Sequence, residues 1–298
     1  MIRLMRNELF KTYHKKSFKI IIFLSIIFMI TINLFYKNNY IEDKDYLTTA
    51  SNVISSSNNL EEIKLNEYII KSKRNINHIN LNKMLFLFYD NYFLLILIII
   101  IYLGSNTISE EYIKGTMKNL LIKPYSRTKI LLAKYLSNLL LAFLILIGLM
   151  LFQTVIGGII FKFNSLSDVC AFYNYKLNKV VEMNIFKYLT IKSLVNIPEF
   201  IIIYSLSFML GVIVKNNMVN MIMYGFIILS ELINSFIMSS PNKLFNLLLT
   251  ASWDFNYLVD GSISFFKYKI TTIAVIVCIS YYLVIMLISI IYFKKNKI

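Results

Sequence analysis

Histidine, cysteine and glycine are scarce in this chain of 298 residues, and each scarcity removes a class of function. The two histidines, His14 and His78, both fall in predicted aqueous segments, so a histidine-rich metal site has no constituents. Of the two cysteines, Cys170 falls in a predicted loop and Cys278 in an apolar run; a disulfide between them is not expected, and neither says much about redox state. None of the eight glycines belongs to a G-x-x-x-x-G-K-[ST] phosphate loop, so the chain is not expected to cradle nucleotide phosphates in that way. Long soluble stretches are missing as well. No polar segment exceeds about 50 residues, whereas a core-bearing domain needs roughly 100. Any water-soluble catalytic domain must come from another chain.

Apolar residues are abundant: 57% of the chain, with a mean hydropathy of +0.64. Runs long enough to cross a hydrocarbon core of ~30 Å recur throughout. The predicted fold class is all-α, a polytopic membrane protein forming one membrane domain over residues 1–298. Six transmembrane helices are predicted at about 18–36, 87–108, 130–161, 188–214, 218–239 and 270–293. In the fourth, Lys192, Asn196 and Glu199 make the first half polar. Pro198 permits a local kink there, and Gly157-Gly158 in the third allows a helix crossing or a bend.

Charge sets the predicted orientation. With both termini in the cytosol, the 53 cytosolic residues carry 16 Lys or Arg and 3 acids, whereas 106 external residues carry 14 basic and 10 acidic side chains. Basic density is over twice as high inside, in accord with the positive-inside rule. The net charge of +15 is then mainly topological, with anionic lipid headgroups as its natural partner. No compact basic domain exists to bind nucleic acid. The expected location is therefore a membrane, with both termini cytosolic.

Before the first span, Ile2, Met5, Leu9 and Tyr13 recur at helical spacing, with Arg3, Arg6, Lys11 and Lys15 largely elsewhere on the wheel. An interfacial amphipathic helix is predicted, either a simple anchor or a brace beside the cytosolic loop. The span after it lacks a small-residue cleavage site and is read as retained. The external loop 37–86 is predicted to hold a helical hairpin, with Asn59 and Glu62 as a cap pair and Leu60, Ile63, Glu67 and Ile70 on one face. Between spans five and six, Trp253 and Tyr257 suit an interfacial or shallow re-entrant segment.

Residues Ser109 to Arg127, SEEYIKGTMKNLLIKPYSR, form a charged island between spans two and three. Ser109 is read as an N-cap, with Glu110 and Glu111 where a helix dipole favours negative charge. Ile113, Met117, Leu120 and Leu121 give an apolar face, Pro124 ends the helix, and Ser126 caps the next one. Gly115 inside a helix costs about 1 kcal/mol relative to alanine and signals a bend or a close backbone contact. Read alone, the island is either a solvated surface turn or a docking surface.

An acidic residue, Gly-Thr, a Leu-rich turn, Pro and Ser-Arg occur here as Glu111, Gly115, Thr116, Leu120, Leu121, Pro124, Ser126 and Arg127. Placed between the second and third of six spans, they resemble the permeases of type 2 ATP-binding-cassette exporters. The six-span layout, the N-terminal helix and the lack of an ATPase domain extend the resemblance over nearly the whole chain. It implies that the island, with Glu110, includes a cytosolic coupling helix against which a separate ATPase subunit docks. It also implies a second permease chain, identical or related, and ATP with magnesium held by the partner, with no cofactor bound by this chain. The expected function is therefore the membrane pathway of an exporter, not an enzyme, with an antimicrobial peptide, drug or other amphipathic cargo.

Within the membrane, Gln153, Glu199 and Glu231 are the candidate pathway or permease-interface residues, because ionisable groups at such depth usually face protein, water or a polar partner. A satisfied interhelical hydrogen bond is the competing structural reading. Two other functional classes are also open: an ion-coupled carrier using Glu199 and Glu231, and a membrane anchor or sensor that recruits a cytosolic protein.

Overall fold

The computed structural model describes residues 1–40, 45–118, 122, 125–163, 169–239, 248–261 and 271–295, without the side chains of residues 231, 237–239 and 271. The chain is predominantly helical, and six of its helices are long and apolar enough to span a membrane. They are α2 (Lys16–Asn39), α6 (Phe88–Ile113), α7 (Arg127–Phe161), α8 (Ile185–Val214), α9 (Val219–Ser239) and α12 (Thr271–Lys295). All six predicted spans are present as helices, most of them extended by a few residues at the ends. α7 has 35 residues, roughly 52 Å at 1.5 Å per residue, so it outruns a ~30 Å hydrocarbon core by several turns.

α6 is the central helix and packs most extensively along α8. Small residues let these two approach closely. A Cβ on Gly104 would lie 2.8 Å from the Tyr204 carbonyl oxygen, and one on Gly211 would lie 2.5 Å from that of Ser105. This is the small-residue helix crossing that close packing in a membrane favours. α2 is peripheral: Phe18, Ser25, Met29 and Asn33 form one buried stripe, and most of the remaining surface is apolar and exposed. At Gly157, a Cβ would meet Leu81 of α5 (Leu81–Phe86) at 2.7 Å, so that glycine does serve a helix crossing. Pro198 lies inside an otherwise continuous α8.

The predicted hairpin in the loop after α2 is formed by α3 (Tyr46–Ser56) and α4 (Leu60–Ser72). Asn59 caps α4 by accepting from the Glu61 N–H at 3.0 Å, but Glu62 accepts from the Ser57 hydroxyl rather than closing a box with Asn59. The inward face is rotated from the expected one. Ile69 is buried, while Leu60 and Ile70 are exposed.

A two-stranded antiparallel sheet is an unpredicted addition to an otherwise all-α architecture. β1 (Val169–Asn174) pairs with β2 (Lys179–Asn184), with Cys170 opposite Met183 and Phe172 opposite Val181. The hairpin sits at the α4–α5 end of the bundle, where Phe86 stacks on Phe172 and on Tyr188, and the Tyr68 hydroxyl donates to Glu182 at 2.7 Å. Between α9 and α12, two short turns, α10 (Leu249–Ser252) and α11 (Tyr257–Asp260), fold inward. Trp253 is therefore a buried core residue, set edge-on to Phe226, and not the interfacial side chain expected.

Candidate functional site

The charged island begins differently from its sequence reading. α6 continues without interruption to Ile113, so Ser109 does not cap a new helix; its hydroxyl donates to the Ser105 carbonyl at 2.8 Å, one turn back. Glu110 and Glu111 consequently lie in the last turn of α6, where the helix dipole disfavours acids. The surrounding lysines offset that cost.

Glu111 is 4% exposed and Lys134, from the second turn of α7, is 1% exposed. The Lys134 ammonium lies 3.2 Å from Glu111 and 2.7 Å from Glu8 on α1 (Ile2–Tyr13). Glu111 also pairs with Lys11 of α1 and accepts from the Thr116 hydroxyl. Beside this cluster, Thr12 donates to Asn138 at 2.9 Å and Asn138 donates to Thr107 at 2.8 Å, so α1, α7 and α6 are joined twice. Glu110 completes the arrangement by pairing with Lys15 at 3.3 Å and Lys114 at 2.9 Å. Burial pushes the Lys15 ammonium below the ordinary lysine range, against the opposing pull of Glu110.

α1 thus lies against protein through Glu8 and Thr12 as well as Met5 and Leu9. Ile2 and Tyr13, on the face predicted to lie in the membrane interface, are exposed together with Phe10 and do not pack on the protein. The helix is present as predicted, and polar contacts of Glu8, Lys11 and Thr12 help to hold it against α6 and α7.

Beyond Ile113 the chain turns. Gly115 has φ +69°, and a Cβ there would meet nothing within 4 Å, so it supplies a bend and not a close contact. This left-handed conformation suits glycine. Met117 is buried beneath the bend, whereas Ile113 is exposed; the two do not share one face. Ile122 is 81% exposed and Tyr125 is exposed as well. Ser126 caps α7 as expected, accepting from the Lys129 N–H at 3.4 Å. Arg127 donates from Nη1 to the Lys294 carbonyl at 3.0 Å, linking the island to the end of α12. Leu120, Leu121 and Pro124 lie outside the described residues.

The membrane candidates separate. Gln153 is buried and bonded through both amide atoms: it exchanges two amide hydrogen bonds with Asn33 at 3.0 Å each and accepts from the Tyr92 hydroxyl at 3.1 Å. That geometry ties α2, α6 and α7 together. Glu199, midway along α8, instead lines a cavity. Glu231 falls in α9, but its side chain lies outside the described residues.

No local sequence pattern marks Glu8, Lys11 and Lys134 as one site. The one available signal was Lys134 itself, a cation placed inside a helix otherwise apolar enough to span a membrane.

Comparison with known proteins places the chain without assigning it an activity. A Bacillus subtilis (strain 168) protein named "Uncharacterized protein YhcI" is 24% identical over 198 residues, which cover 66% of this chain and 63% of the relative. The chain thus spans less than two thirds of that relative's length. No solved structure matches. The family described as "Protein of unknown function (DUF2705)" matches residues 76–298, a stretch that includes Glu111, Lys134 and Glu199 but not α1. This match covers about three quarters of the sequence, and the chain belongs to the DUF2705 family.

Proposed function

We propose that the chain is the membrane-spanning permease subunit of a type 2 ATP-binding-cassette exporter in a bacterial-type plasma membrane. In this reading both termini are cytosolic, and a separate ATPase subunit docks on the segment from Gly115 to Arg127. One observation carries the proposal: Ile122 and Tyr125 of this segment are exposed, while its Thr116 donates to Glu111, which joins Lys134 in a buried ionic cluster spanning α1, α6 and α7. A push on the segment would reach three helices at once, because a buried charge cannot lose its partners cheaply. Coupling needs such a mechanical connection between two sites. By the same resemblance, a second permease chain completes the pathway, and the cargo is an amphipathic compound, drug or antimicrobial peptide.

Affinity purification of the full chain from its native membrane tests this reading. An ATPase lacking membrane spans should co-purify, and its ATP hydrolysis should fall when Arg127 or the Gly115–Thr116 bend is altered. Absence of the ATPase, or hydrolysis indifferent to both changes, refutes the proposal. The buried carboxylate of Glu199 in α8 favours an ion-coupled carrier as the second reading; a transport rate that follows an ion gradient without ATP would select it.

A further inference from the structure

A cavity of about 340 Å³ opens between α6, α8, α9 and the inward-folded segment at Trp253. Phe93, Leu97, Ile203, Ile227 and the Trp253 indole make most of its wall apolar. Its polar groups are mainly oxygen acceptors. Glu199 is 9% exposed and has neither a hydrogen-bond nor an ion-pair partner among the described residues. Asp254 lines the same cavity; its Oδ1 accepts from the Asn256 N–H and side-chain amide, each at 2.9 Å. The amide oxygens of Asn234 and Asn256 are buried without a donor among the described residues. The Ser230 and Ser235 hydroxyls donate to their own helix, at 2.6 Å to Ile227 and 2.8 Å to Leu232, which leaves their lone pairs for a guest. No Lys, Arg or His occurs among the described lining residues.

Buried acceptors without donors are costly, and a carboxylate in an apolar surround costs more unless it meets a cation. Such a set calls for a guest that brings positive charge and N–H donors together. A bare metal ion fits less well, since no group of three or more His, Cys, Asp or Glu is placed to hold one among the described residues. An apolar wall of aromatic and branched side chains instead matches a hydrocarbon body, with cation–π attraction at the rings.

We propose that this cavity binds a protonated primary or secondary organic amine carrying an aromatic or branched apolar group. The ammonium sits against Glu199 and Asp254, and the hydrocarbon body sits against Phe93 and Trp253. Calling that ligand the cargo rests on the exporter reading; the binding itself does not.

Trp253 is the chain's single tryptophan and lines the site, so its emission reports occupancy directly. The full chain, purified without partner and reconstituted in lipid nanodiscs, is titrated with 2-phenylethylammonium and with n-propylbenzene, a neutral compound of nearly the same shape. The expected result is a saturable change with the ammonium only, weakened about tenfold or more by Glu199→Gln and also weakened by Asp254→Asn. Unchanged elution and unliganded emission would show that the variants are folded; if Glu199→Gln misfolds, Asp254→Asn alone decides. Equal responses to both compounds, no saturable response to the ammonium, or indifference to the folded carboxylate variant overturns the proposal. Binding by a chain that recruits no ATPase would keep the site and remove the exporter reading, whereas ATPase coupling without binding would do the reverse.

Discussion

The Lys134 ammonium lies 3.2 Å from a Glu111 carboxylate oxygen, and both side chains are almost wholly removed from solvent. Because Lys134 also holds Glu8, removing it leaves two acids short of a partner, whereas removing the Glu111 charge leaves the Lys134–Glu8 pair intact. Lys134→Met is therefore expected to destabilise the protein by about 3–5 kcal/mol, the usual cost of breaking a buried ion pair. Glu111→Gln should cost less, and the pair of changes together should cost less than their sum. Thermal unfolding of the purified variants in one detergent gives the order, and a Glu111→Gln loss equal to or greater than that of Lys134→Met would refute it.

That cluster also marks where reading the sequence stops. Spans are legible because hydropathy accumulates residue by residue, and runs such as Phe93–Tyr102 need no partner to declare themselves. The Gly115 bend and the Ser126 cap are legible for a similar reason, since each is a property of a few consecutive residues. Glu111 finds Lys11 across 100 positions, a relation no local pattern encodes. Local signals also mislead when several agree. Ser109 followed by two acids has the look of a helix start, yet nothing before it stops α6. The β-hairpin escaped because its strands have six residues each, too few to stand out beside spans of more than twenty. Ile2 and Tyr13 obey a helical period and mark the predicted interfacial face, but the face of α1 that docks on protein is set by Glu8 and Thr12, whose partners lie on other helices.

The α6–α8 crossing predicts a contrast between two glycines. A side chain at Gly211 must enter space held by the Ser105 backbone carbonyl, whose carbon and Cα each lie 3.3 Å from the Cβ position, and backbone cannot move aside as a rotamer can. Gly211→Leu is expected to remove most folded, monodisperse protein, an overpacking penalty of about 1–3 kcal/mol or more. Gly148→Leu, where a Cβ meets nothing within 4 Å, should be nearly neutral or slightly stabilising through helix propensity. Size-exclusion yield after extraction compares the two, and similar yields would argue against the crossing.

Cys170 in β1 provides a test by pH. Burial pushes its thiol up to about 11, and it is positioned to donate to the Met183 carbonyl at 3.1 Å. Only the thiolate reacts rapidly with alkylating reagents. In a Cys278→Ser background, alkylation should be slow at neutral pH and rise about tenfold per pH unit until the pH approaches that value. Denaturing the chain should restore the behaviour of a free thiol, with a pKa of about 8.5. The sign for stability follows: because the folded value lies above the unfolded one, the contribution is complete below the unfolded pKa and lost as pH rises through the folded one. A native-state rate that levels off near pH 9 would show that the thiol is not held in a buried hairpin.

Gly115 separates a local strain from a loss of folding. Its φ of +69° is a conformation that costs an ordinary L-residue about 1–2 kcal/mol, while the open space around it leaves a side chain free of clashes. Gly115→Val should therefore disturb the bend but leave the Lys134 cluster and the spans assembled, giving normal membrane yield and a modest loss of thermal stability. Gly115→Asn should be milder, since asparagine tolerates the left-handed region better than a β-branched residue. If the segment transmits force from a docked ATPase, transport per ATP hydrolysed should fall for the valine variant and largely recover for asparagine. Equal transport coupling in wild type and both variants would make the bend a structural turn alone, and loss of insertion in Gly115→Val would make it a determinant of topology.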